Sequence, residues 1–206
     1  MNNYDELVDS SVLDNTIKNL TDHGFIVEVV DTGSQALEKI KTIIPKDVSV
    51  MNGSSTTLNQ IGFVEYLKST DHGWNNIHAN IIAETDKEKQ SKLRKESVLS
   101  DFYLGSAHAV SETGEILIAS ASGSQLPHLV FTSQNVILVI STKKVTKDLS
   151  EAMNRIDEHV VPLEDQRMKG VGYPGTVYSK LLVIKSEPAM MGRKFRVIFV
   201  KENLGF

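Results

Sequence analysis

Apolar residues recur at helical and strand spacings in alternation along the first part of the chain. SVLDNTIKNLTDHG (residues 11–24) carries its apolar residues on one helical face, and FIVEVV (residues 25–30) is a short β-branched run typical of a strand. A second helix, TGSQALEKIKTII (residues 32–44), and a second strand, DVSVM (residues 47–51), repeat the change of spacing. TLNQIGFVEYLKST (residues 57–70) follows as a single helix. The pattern therefore predicts the order α-β-α-β-α.

The rest of the chain adds strands of a different kind. SAHAVSETGEILIAS (residues 106–120) places two apolar segments on either side of SETGE, which predicts a β-hairpin. QNVILVIS (residues 134–141) is a nearly continuous apolar run, as expected for a strand buried on both faces. The remaining predicted elements are helices at residues 86–99 and 146–160 and strands at residues 180–186 and 194–200.

Helices that alternate with strands cover both faces of a parallel sheet, because right-handed crossovers place them there. We therefore predict an α/β fold with three α/β/α layers, a mainly parallel sheet, a β-hairpin and antiparallel additions. The 206 residues include no repeat or long linker, so a single domain spanning residues 1–206 is predicted. Residues 1–45 are its helix-and-strand lead-in, and residues 46–206 are its ligand-binding core.

Composition excludes several classes of protein. The formal charge is −4 and the basic residues are scattered, so we expect no nucleic-acid partner. The chain has no cysteine, which excludes disulfides, thiolate metal sites and catalytic thiols. No apolar run approaches the roughly 20 residues that span a bilayer. The polar start MNNYDELVDS is unlike a targeting signal, so a cytoplasmic protein without a membrane partner is expected.

The first candidate site is the loop NGSSTT, which joins the second predicted strand to the third predicted helix. Backbone N–H groups at a helix start favour a phosphate or carboxylate, and the hydroxyls are further donors. The alternative is that one Ser or Thr simply caps the helix, which the loop by itself favours. Four hydroxyls are more than a cap needs. The candidate ligand-binding residues here are Gly53, Ser54, Ser55, Thr56 and Thr57.

A second polar loop, SASGSQ, follows the predicted hairpin. Two such loops could converge at the carboxyl edge of the sheet, where open α/β folds bind ligands, although both could equally be solvated turns. Lys144 ends the apolar strand run and could place an ammonium at that edge, but a lone Lys is more often solvated. The candidates in this group are Ser122, Gly123, Ser124, Gln125 and Lys144.

The six histidines do not suggest a metal site. They are dispersed along the chain, with no H-x-x-x-H or H-E-x-x-H spacing, so no metal is expected. His108 and His128 flank the candidate loops and are possible acid–base groups. Surface or satisfied core positions are the more common alternative for such histidines.

Three segments, taken in order, resemble one protein family. They are NGSSTTLNQIGFVEYLK (residues 52–68), AVSETGEILIAS (residues 109–120) and LPHLVFTSQNVILVISTKKVTKDLSEAMNRI (residues 126–156). On these segments the chain is identified as a member of the LUD domain family, also called the lactate-utilisation protein C or DUF162-type family. The resemblance implies a fold similar to the ribose-phosphate isomerase, glucosamine-phosphate deaminase and CoA-transferase superfamily, whose ligands lie over loops at strand ends. It also implies work beside iron–sulfur partner subunits in lactate oxidation.

The resemblance raises the possibility of a catalytic carboxylate in SETGE. CoA transferases of the superfamily use a Glu in a similar Ser-Glu-x-Gly setting as acyl acceptor, which implies Glu112 as nucleophile with Thr113 and Gly114 beside the ligand. The alternative is a plain turn in which Gly114 supplies a positive φ. The chain also departs from the family: the Cys-rich segment of many members has no counterpart in RMKGVGYPGTVYSKLLVI, which weakens a direct role in electron transfer.

Three functions remain open from the sequence. The leading hypothesis is a protein that binds an anionic small metabolite and acts with iron–sulfur oxidoreductase partners in organic-acid (lactate) utilisation. The second is an acyl/CoA-transferase-like or sugar-phosphate-isomerase-like enzyme that uses Glu112. The third is a structural subunit whose loops are turns. No resident cofactor is evident beyond a phosphate- or carboxylate-bearing ligand, and a homodimer is the common oligomeric state for such domains.

Overall fold

The structure, a computed structural model, describes residues 3–69 and 71–206. Thr70, the last residue of the helix predicted over residues 57–70, and the first two residues of the predicted lead-in lie outside the described residues. The helices are α1 (Ser10–Asp22), α2 (Gly33–Ile43), α3 (Thr56–Gln60), α4 (Phe63–Lys68), α5 (Ile77–Ala83), α6 (Lys87–Glu96), α7 (Leu149–Arg155) and α8 (Val161–Gly170). The strands are β1 (Ile26–Val30), β2 (Ser49–Asn52), β3 (Asn75–Asn76), β4 (Phe102–Gly105), β5 (Ala109–Ser111), β6 (Ile116–Ser120), β7 (Asn135–Ser141), β8 (Val145–Thr146), β9 (Lys180–Ile184) and β10 (Lys194–Val200).

The large sheet of the described chain has the strand order β1-β10-β7-β4-β2-β3, and its strands run parallel. Val200 of β10 lies between Val30 of β1 and Ser141 of β7. Gly105 of β4 is paired with Leu138 of β7. The carboxyl ends of these strands therefore face the same edge, as the predicted α/β pattern requires.

A smaller mixed sheet has the order β8-β5-β6-β9. The predicted hairpin is its centre: β5 and β6 pair antiparallel, with Ala109 opposite Leu117. Strand β8 adds parallel to β5, and β9 adds antiparallel to β6. These are the antiparallel additions that the sequence predicts, and they are confirmed.

Both faces of the large sheet are covered because its central strands carry apolar residues on both sides. Along β7, Val136 and Leu138 pack on one side with α1 and the hairpin strands. Ile137 and Val139 pack on the other side with α2, α3 and α4. The outer face of the small sheet packs against α7 through Ala152. The three-layer α/β/α prediction is confirmed, with the small sheet sharing one layer with α1.

Several predicted elements differ from the structure. The helix predicted over residues 57–70 is interrupted, because Gly62 adopts a left-handed φ of 80° between α3 and α4. The break lets Leu58 and Phe63, on the two pieces, both reach the core. Strand β4 was not predicted, because its four residues, FYLG, are too few to show the periodicity of a strand. The helix predicted at residues 146–160 continues through a π-helical turn (Ile156–Val160) into α8.

The first 45 residues are integrated with the rest of the fold. Strand β1 pairs along its whole length with β10, so the predicted lead-in supplies an edge strand to the same sheet as the predicted ligand-binding core. None of the described helices is both long and apolar enough to span a bilayer.

Candidate functional site

A cavity of about 320 Å³ opens at the edge where the parallel strands end. Its walls come from the segments that follow β2, β4 and β7, together with α8 and the segment after β10. This is the edge at which open α/β sheets bind ligands. The predicted binding residues that line the cavity are Gly53, Ser54, Ser55, Thr56, Thr57, Ser122, Ser124, Gln125 and Lys144.

The loop after β2 both caps a helix and faces the cavity. The Ser55 hydroxyl accepts a hydrogen bond from the Leu58 N–H at 3.2 Å, which makes it the cap of α3. Because α3 is only five residues long, its dipole contributes less to anion binding than the predicted longer helix would. Ser54 and Thr56 also line the cavity. Hydroxyl groups, rather than a helix end, are therefore the main feature of this wall.

Gly53 is required by packing inside the protein. A Cβ at this position would lie 2.5 Å from the Tyr103 Oη and 3.3 Å from the Gln125 Oε1. Tyr103 is buried, and its hydroxyl donates to the same Gln125 oxygen at 3.3 Å. A larger residue at Gly53 would thus disturb the core, whether or not a ligand is bound.

Lys144 places a buried amine on the floor of the cavity. It is 3% exposed, and its Nζ donates to Thr57 Oγ1 at 3.1 Å, Ser106 Oγ at 3.2 Å and the Ala107 carbonyl at 3.2 Å. None of these acceptors is charged, and within residues 3–69 and 71–206 no ion pair involves this lysine. Burial lowers the pKa of Lys144 well below its usual value, and the charges of Arg155 and Lys143 lower it further.

The preceding lysine is buried to a similar extent but has charged and polar partners. Lys143 is 4% exposed, and its Nζ donates to Asp5 Oδ1 at 2.8 Å and to Asn203 Oδ1 at 2.6 Å. The hydrogen bond from Lys143 lowers the pKa of Asp5 below its ordinary value. Lys143 therefore ties the start and the end of the described chain to the turn after β7. Lys144, one residue later, faces the cavity instead.

Arg155 and His108 lie behind this lysine. Arg155 is fully buried, and its Nη1 donates to the His108 carbonyl, next to the Ala107 carbonyl that Lys144 contacts. Its Nε and Nη2 have no hydrogen-bond partner within the described residues. Burial lowers the pKa of Arg155 to about 10, against the opposing effect of Asp5. Arg155 thus adds positive charge behind the cavity floor.

His108 lines the cavity in its neutral form. Burial, with the nearby charges of Lys144 and Arg155, lowers the pKa of His108 to about 3. Its Nδ1 accepts a hydrogen bond from the Ala119 N–H at 3.1 Å. The proton of the neutral ring therefore belongs on Nε2, which can donate to a ligand.

His128, the other histidine singled out from the sequence, has a structural environment. Its ring stacks on Tyr103 with the centroids 4.5 Å apart, and its Nδ1 lies 2.8 Å from the Ser133 Oγ. Burial lowers the pKa of His128 to about 4. It supports the tyrosine that packs under Gly53 and does not line the cavity.

The loop after β6 forms the opposite wall. The Ser122 hydroxyl donates to Ser124 Oγ at 3.1 Å, and Gln125 Nε2 donates to the Ala119 carbonyl at 3.3 Å. Gly123 turns this loop with a φ of 82° and its N–H donates to the Ser120 hydroxyl at 2.9 Å, but it does not line the cavity itself. The structure thus brings the two predicted polar loops to one cavity.

Helix α8 adds an ion pair at the cavity wall that the sequence did not indicate. Arg167 donates from Nε and Nη2 to the two carboxylate oxygens of Glu164, each at 2.6 Å. The hydrogen bond to Glu164 raises the pKa of Arg167. The i,i+3 spacing within a helix was visible, but nothing in the sequence showed that this helix borders the loops.

Glu112, Thr113 and Gly114 lie elsewhere, at the tip of the hairpin against α1. Asn15 donates to the Glu112 carboxylate at 3.1 Å, and Asn19 donates to the Glu112 carbonyl at 2.7 Å. Gly114 has a φ of 98°, as the turn alternative requires. These three residues do not line the cavity. A catalytic Glu112 stays a prediction, and its position beside α1 gives it no support.

Ser106, His108, Arg155 and Arg167 are further polar residues at or behind the cavity. Of these, His108 had been noted from its place beside a candidate loop. Ser106 follows the unpredicted strand β4, and the burial of Arg155 arises only when α7 packs on the small sheet. No group of three or more His, Asp or Glu residues in the described ranges is arranged to hold a metal ion.

Comparison with protein families gives a match over most of the chain. The family model described as "LUD domain" matches residues 13–201 of the 206. The chain belongs to the LUD domain family. The resemblance predicted from three short segments is thereby confirmed over nearly the whole length of this LUD domain.

A solved structure shares the architecture. A DUF162 family protein from Deinococcus radiodurans, with a crystal structure at 1.70 Å resolution, is 13% identical to this LUD domain. The alignment covers 95% of this chain and 99% of that one, with a TM-score of 0.58. At this identity the likeness supports the fold alone. A search of curated proteins gives no match to this LUD domain.

Proposed function

We propose that this LUD-domain protein binds a small anionic metabolite, bearing a carboxylate or phosphate, in the cavity above Lys144. One observation carries the proposal: the buried Lys144 amine donates to three neutral oxygens and has no carboxylate partner within the described residues. A charge held in a low-dielectric interior is costly unless it is paired. An anionic ligand would supply the missing partner.

The surroundings of Lys144 suit such a ligand. Hydroxyls from Ser54 and Thr56 on one wall and from Ser122 on the other face the space, and the His108 Nε2–H is a further donor. A volume of about 320 Å³ is at the lower end of the range for ligand pockets, which points to a small metabolite. Arg155 behind the floor adds to the positive potential.

The biological setting that we propose is organic-acid utilisation of the lactate type, alongside iron–sulfur oxidoreductase subunits. Membership of the LUD domain family supports this setting. Because the chain has no cysteine to hold a cluster, electron carriers would reside on the partner proteins. Copurification of tagged protein with iron–sulfur subunits, or neighbouring genes that encode them, would support the setting. Purification without them from cells grown on lactate would count against it.

Thermal-shift and calorimetric titration with short-chain carboxylates and small phosphates tests the binding proposal. A specific ligand at 100 times its Kd is expected to stabilise the protein by about 2.7 kcal/mol. Lys144→Met removes a charge-assisted hydrogen bond worth about 1.5–3 kcal/mol, so the affinity should fall tenfold to more than a hundredfold. Met preserves the length and apolar stem of the side chain.

Lys147→Met is the matched control, since Lys147 is exposed and lies three residues further along the same turn. It should bind as the unmodified protein does. If no carboxylate or phosphate stabilises the protein, or if Lys144→Met binds as tightly as Lys147→Met, the proposal is wrong. Circular dichroism of both variants would establish that each is folded.

A further inference from the structure

We propose that Lys144 forms an imine with a carbonyl group of its ligand, so that the ligand class is an acid with a carbonyl next to its anionic group, such as a 2-oxo acid. The inference rests on the proposed anion site and specifies its chemistry. It would give this protein a covalent ligand-capture step.

The Lys144 amine is buried at the edge of the cavity. Lys144 is 3% exposed, yet it lines the cavity, so its nitrogen is shielded from bulk water while remaining next to the ligand space. Its hydrogen-bond partners are the hydroxyls of Thr57 and Ser106 and a backbone carbonyl. No carboxylate in the described residues holds a proton on this nitrogen through an ion pair, in contrast to Lys143 with Asp5.

Positive charge lies close to the same amine. Lys144 donates to the carbonyl of Ala107, and Arg155 donates to the carbonyl of the next residue, His108. Two cations on consecutive peptide carbonyls repel each other, and only one of them can readily lose its proton. A lysine beside another cation in a desolvated pocket is an established route to a nucleophilic amine.

The step balances without any additional reactant. The neutral amine attacks the carbonyl carbon, which forms a C–N bond and moves the carbonyl electron pair onto oxygen. Proton transfers from nitrogen to oxygen, for which the Thr57 and Ser106 hydroxyls lie within 3.2 Å of Nζ, convert that oxygen to water. Loss of water breaks the C–O bond and leaves the imine. Protonation of the imine restores a positive charge beside the ligand's anionic group.

The remaining walls fit the rest of such a ligand. The Ser54 and Thr56 hydroxyls can donate to the carboxylate, while the His108 Nε2–H can donate to the oxygen that develops negative charge at the carbonyl. The pKa of His108, lowered to about 3, keeps this ring neutral, so it donates without adding another cation beside Lys144. Recognition and covalent capture would thus use different side chains.

Reductive trapping tests the inference. The full-length protein is incubated with pyruvate or 2-oxobutyrate and sodium cyanoborohydride, and then intact mass and fragment spectra are recorded. The expected result is one adduct, equal in mass to the acid minus water plus two hydrogens, located on Lys144. Lactate is the matched ligand control, because it offers a carboxylate without a carbonyl and should give no adduct.

Lys144→Arg is the matched protein control, since it keeps the charge and the donors but cannot form the imine. It should lose the adduct, whereas Lys147→Met should keep both the adduct and the binding of pyruvate measured by calorimetry. Binding of pyruvate without an adduct in the unmodified protein overturns the imine and leaves the proposed anion site standing. If the unmodified protein shows neither binding nor an adduct, both the imine and the proposed anion site are wrong. Equal labelling of Lys144→Arg, which would reflect surface lysines, overturns the imine.

Discussion

The tip of the hairpin and the floor of the cavity are both built from charged residues among Ser and Thr side chains, but they differ in what completes them. At the tip, Glu115 accepts hydrogen bonds from the hydroxyls of Ser111 and Thr113, and Asn15 donates to Glu112. On the floor, the hydrogen bonds of Lys144 within the described residues go to neutral oxygens. The tip is therefore complete without a ligand, whereas the floor lacks a negative charge.

The comparison shows why a motif alone cannot identify a site. NGSSTT has four hydroxyl side chains and SETGE has two, and both motifs lie beside strands. What separates them is whether other parts of the protein already satisfy their polar groups, and this depends on residues far away in the chain. Asn15 and Asn19 of α1 satisfy the hairpin, and no carboxylate does the same for Lys144 within the described residues.

Acidification is expected to produce the largest difference between the two regions. The pKa of His108 is lowered to about 3 and that of His128 to about 4, against an ordinary value of 6.5. Below pH 6.5 these histidines take up protons in the unfolded chain, but they stay neutral in the folded protein because their pKa is lower there. Stability that is complete above pH 6.5 is therefore lost as the pH falls, by up to about 1.4 kcal/mol per pH unit for each histidine.

Between pH 6.5 and 5.5 this loss comes chiefly from the buried histidines, to which His159 also belongs, because burial lowers its pKa as well. Urea unfolding across that interval measures it. His108→Gln should remove the part of the slope that belongs to His108, up to about 1.4 kcal/mol per pH unit, whatever its effect on stability at pH 7. A slope that is the same in this variant would mean that His108 is not held neutral by its surroundings.

Lys144→Met is expected to raise the stability of the ligand-free protein by about 1–3 kcal/mol, because it removes an amine whose burial is not compensated by an opposite charge. Lys143→Met should lower stability instead, since Lys143 bonds Asp5 and Asn203. Chemical denaturation should therefore show changes of opposite sign in the free energy of unfolding of the two variants. A loss of stability in both variants would mean that the neutral partners of Lys144 already compensate its burial.

Glycines in the two regions are expected to respond differently to alanine. Gly53→Ala should cost about 1–2 kcal/mol, because the new methyl group meets the Tyr103 hydroxyl, and Tyr103→Phe should recover much of the loss. Gly114→Ala meets the His23 Nδ1 at 2.7 Å and also strains a backbone with a φ of 98°. Removing the histidine should therefore leave most of that loss in place. Thermal unfolding of the four single and two double variants measures both cycles.

The smallest effects are expected for the carboxylates of the hairpin. Glu115→Gln should lower stability by about 1.5 kcal/mol, because it weakens charge-assisted bonds from Ser111 and Thr113. Glu112→Gln, with only a bond from Asn15 at its side chain, should change stability by less than about 0.5 kcal/mol. Neither should change anion affinity. A loss of ligand binding or turnover in Glu112→Gln would mean that Glu112 takes part in the functional site.

Much of the fold was predictable because it follows from hydrophobic spacing. The alternating helices and strands, the hairpin and the buried β7 are all visible in the sequence, and the parallel edge then predicts that loops 52–57 and 120–125 meet. The break at Gly62 was not predictable in the same way. An apolar stripe that runs through a glycine looks like one helix until tertiary packing separates its halves.

The least predictable features are those that depend on burial. Lys144 looked like an ordinary strand-terminal lysine, and only the packing of β4, β5 and the segment after β10 encloses it. Arg155 belonged to a helical pattern in which basic residues are usually solvated. The hairpin strands could be predicted, but not which neighbour would contact the tip, since that depends on where α1 packs.

The position of β10 also has a consequence for how the protein folds. Edge strand β1 joins the sheet through β10, although almost the whole sequence separates them, and the chain then continues from β10 into Gly205, which covers Thr57 and Lys144. Contacts of such high sequence separation slow folding, because the long intervening chain has to be closed before they can form. The cavity floor is consequently closed only when the sheet is complete. A partly folded chain would expose its apolar sheet edge and have no binding site, which couples ligand recognition to the end of folding.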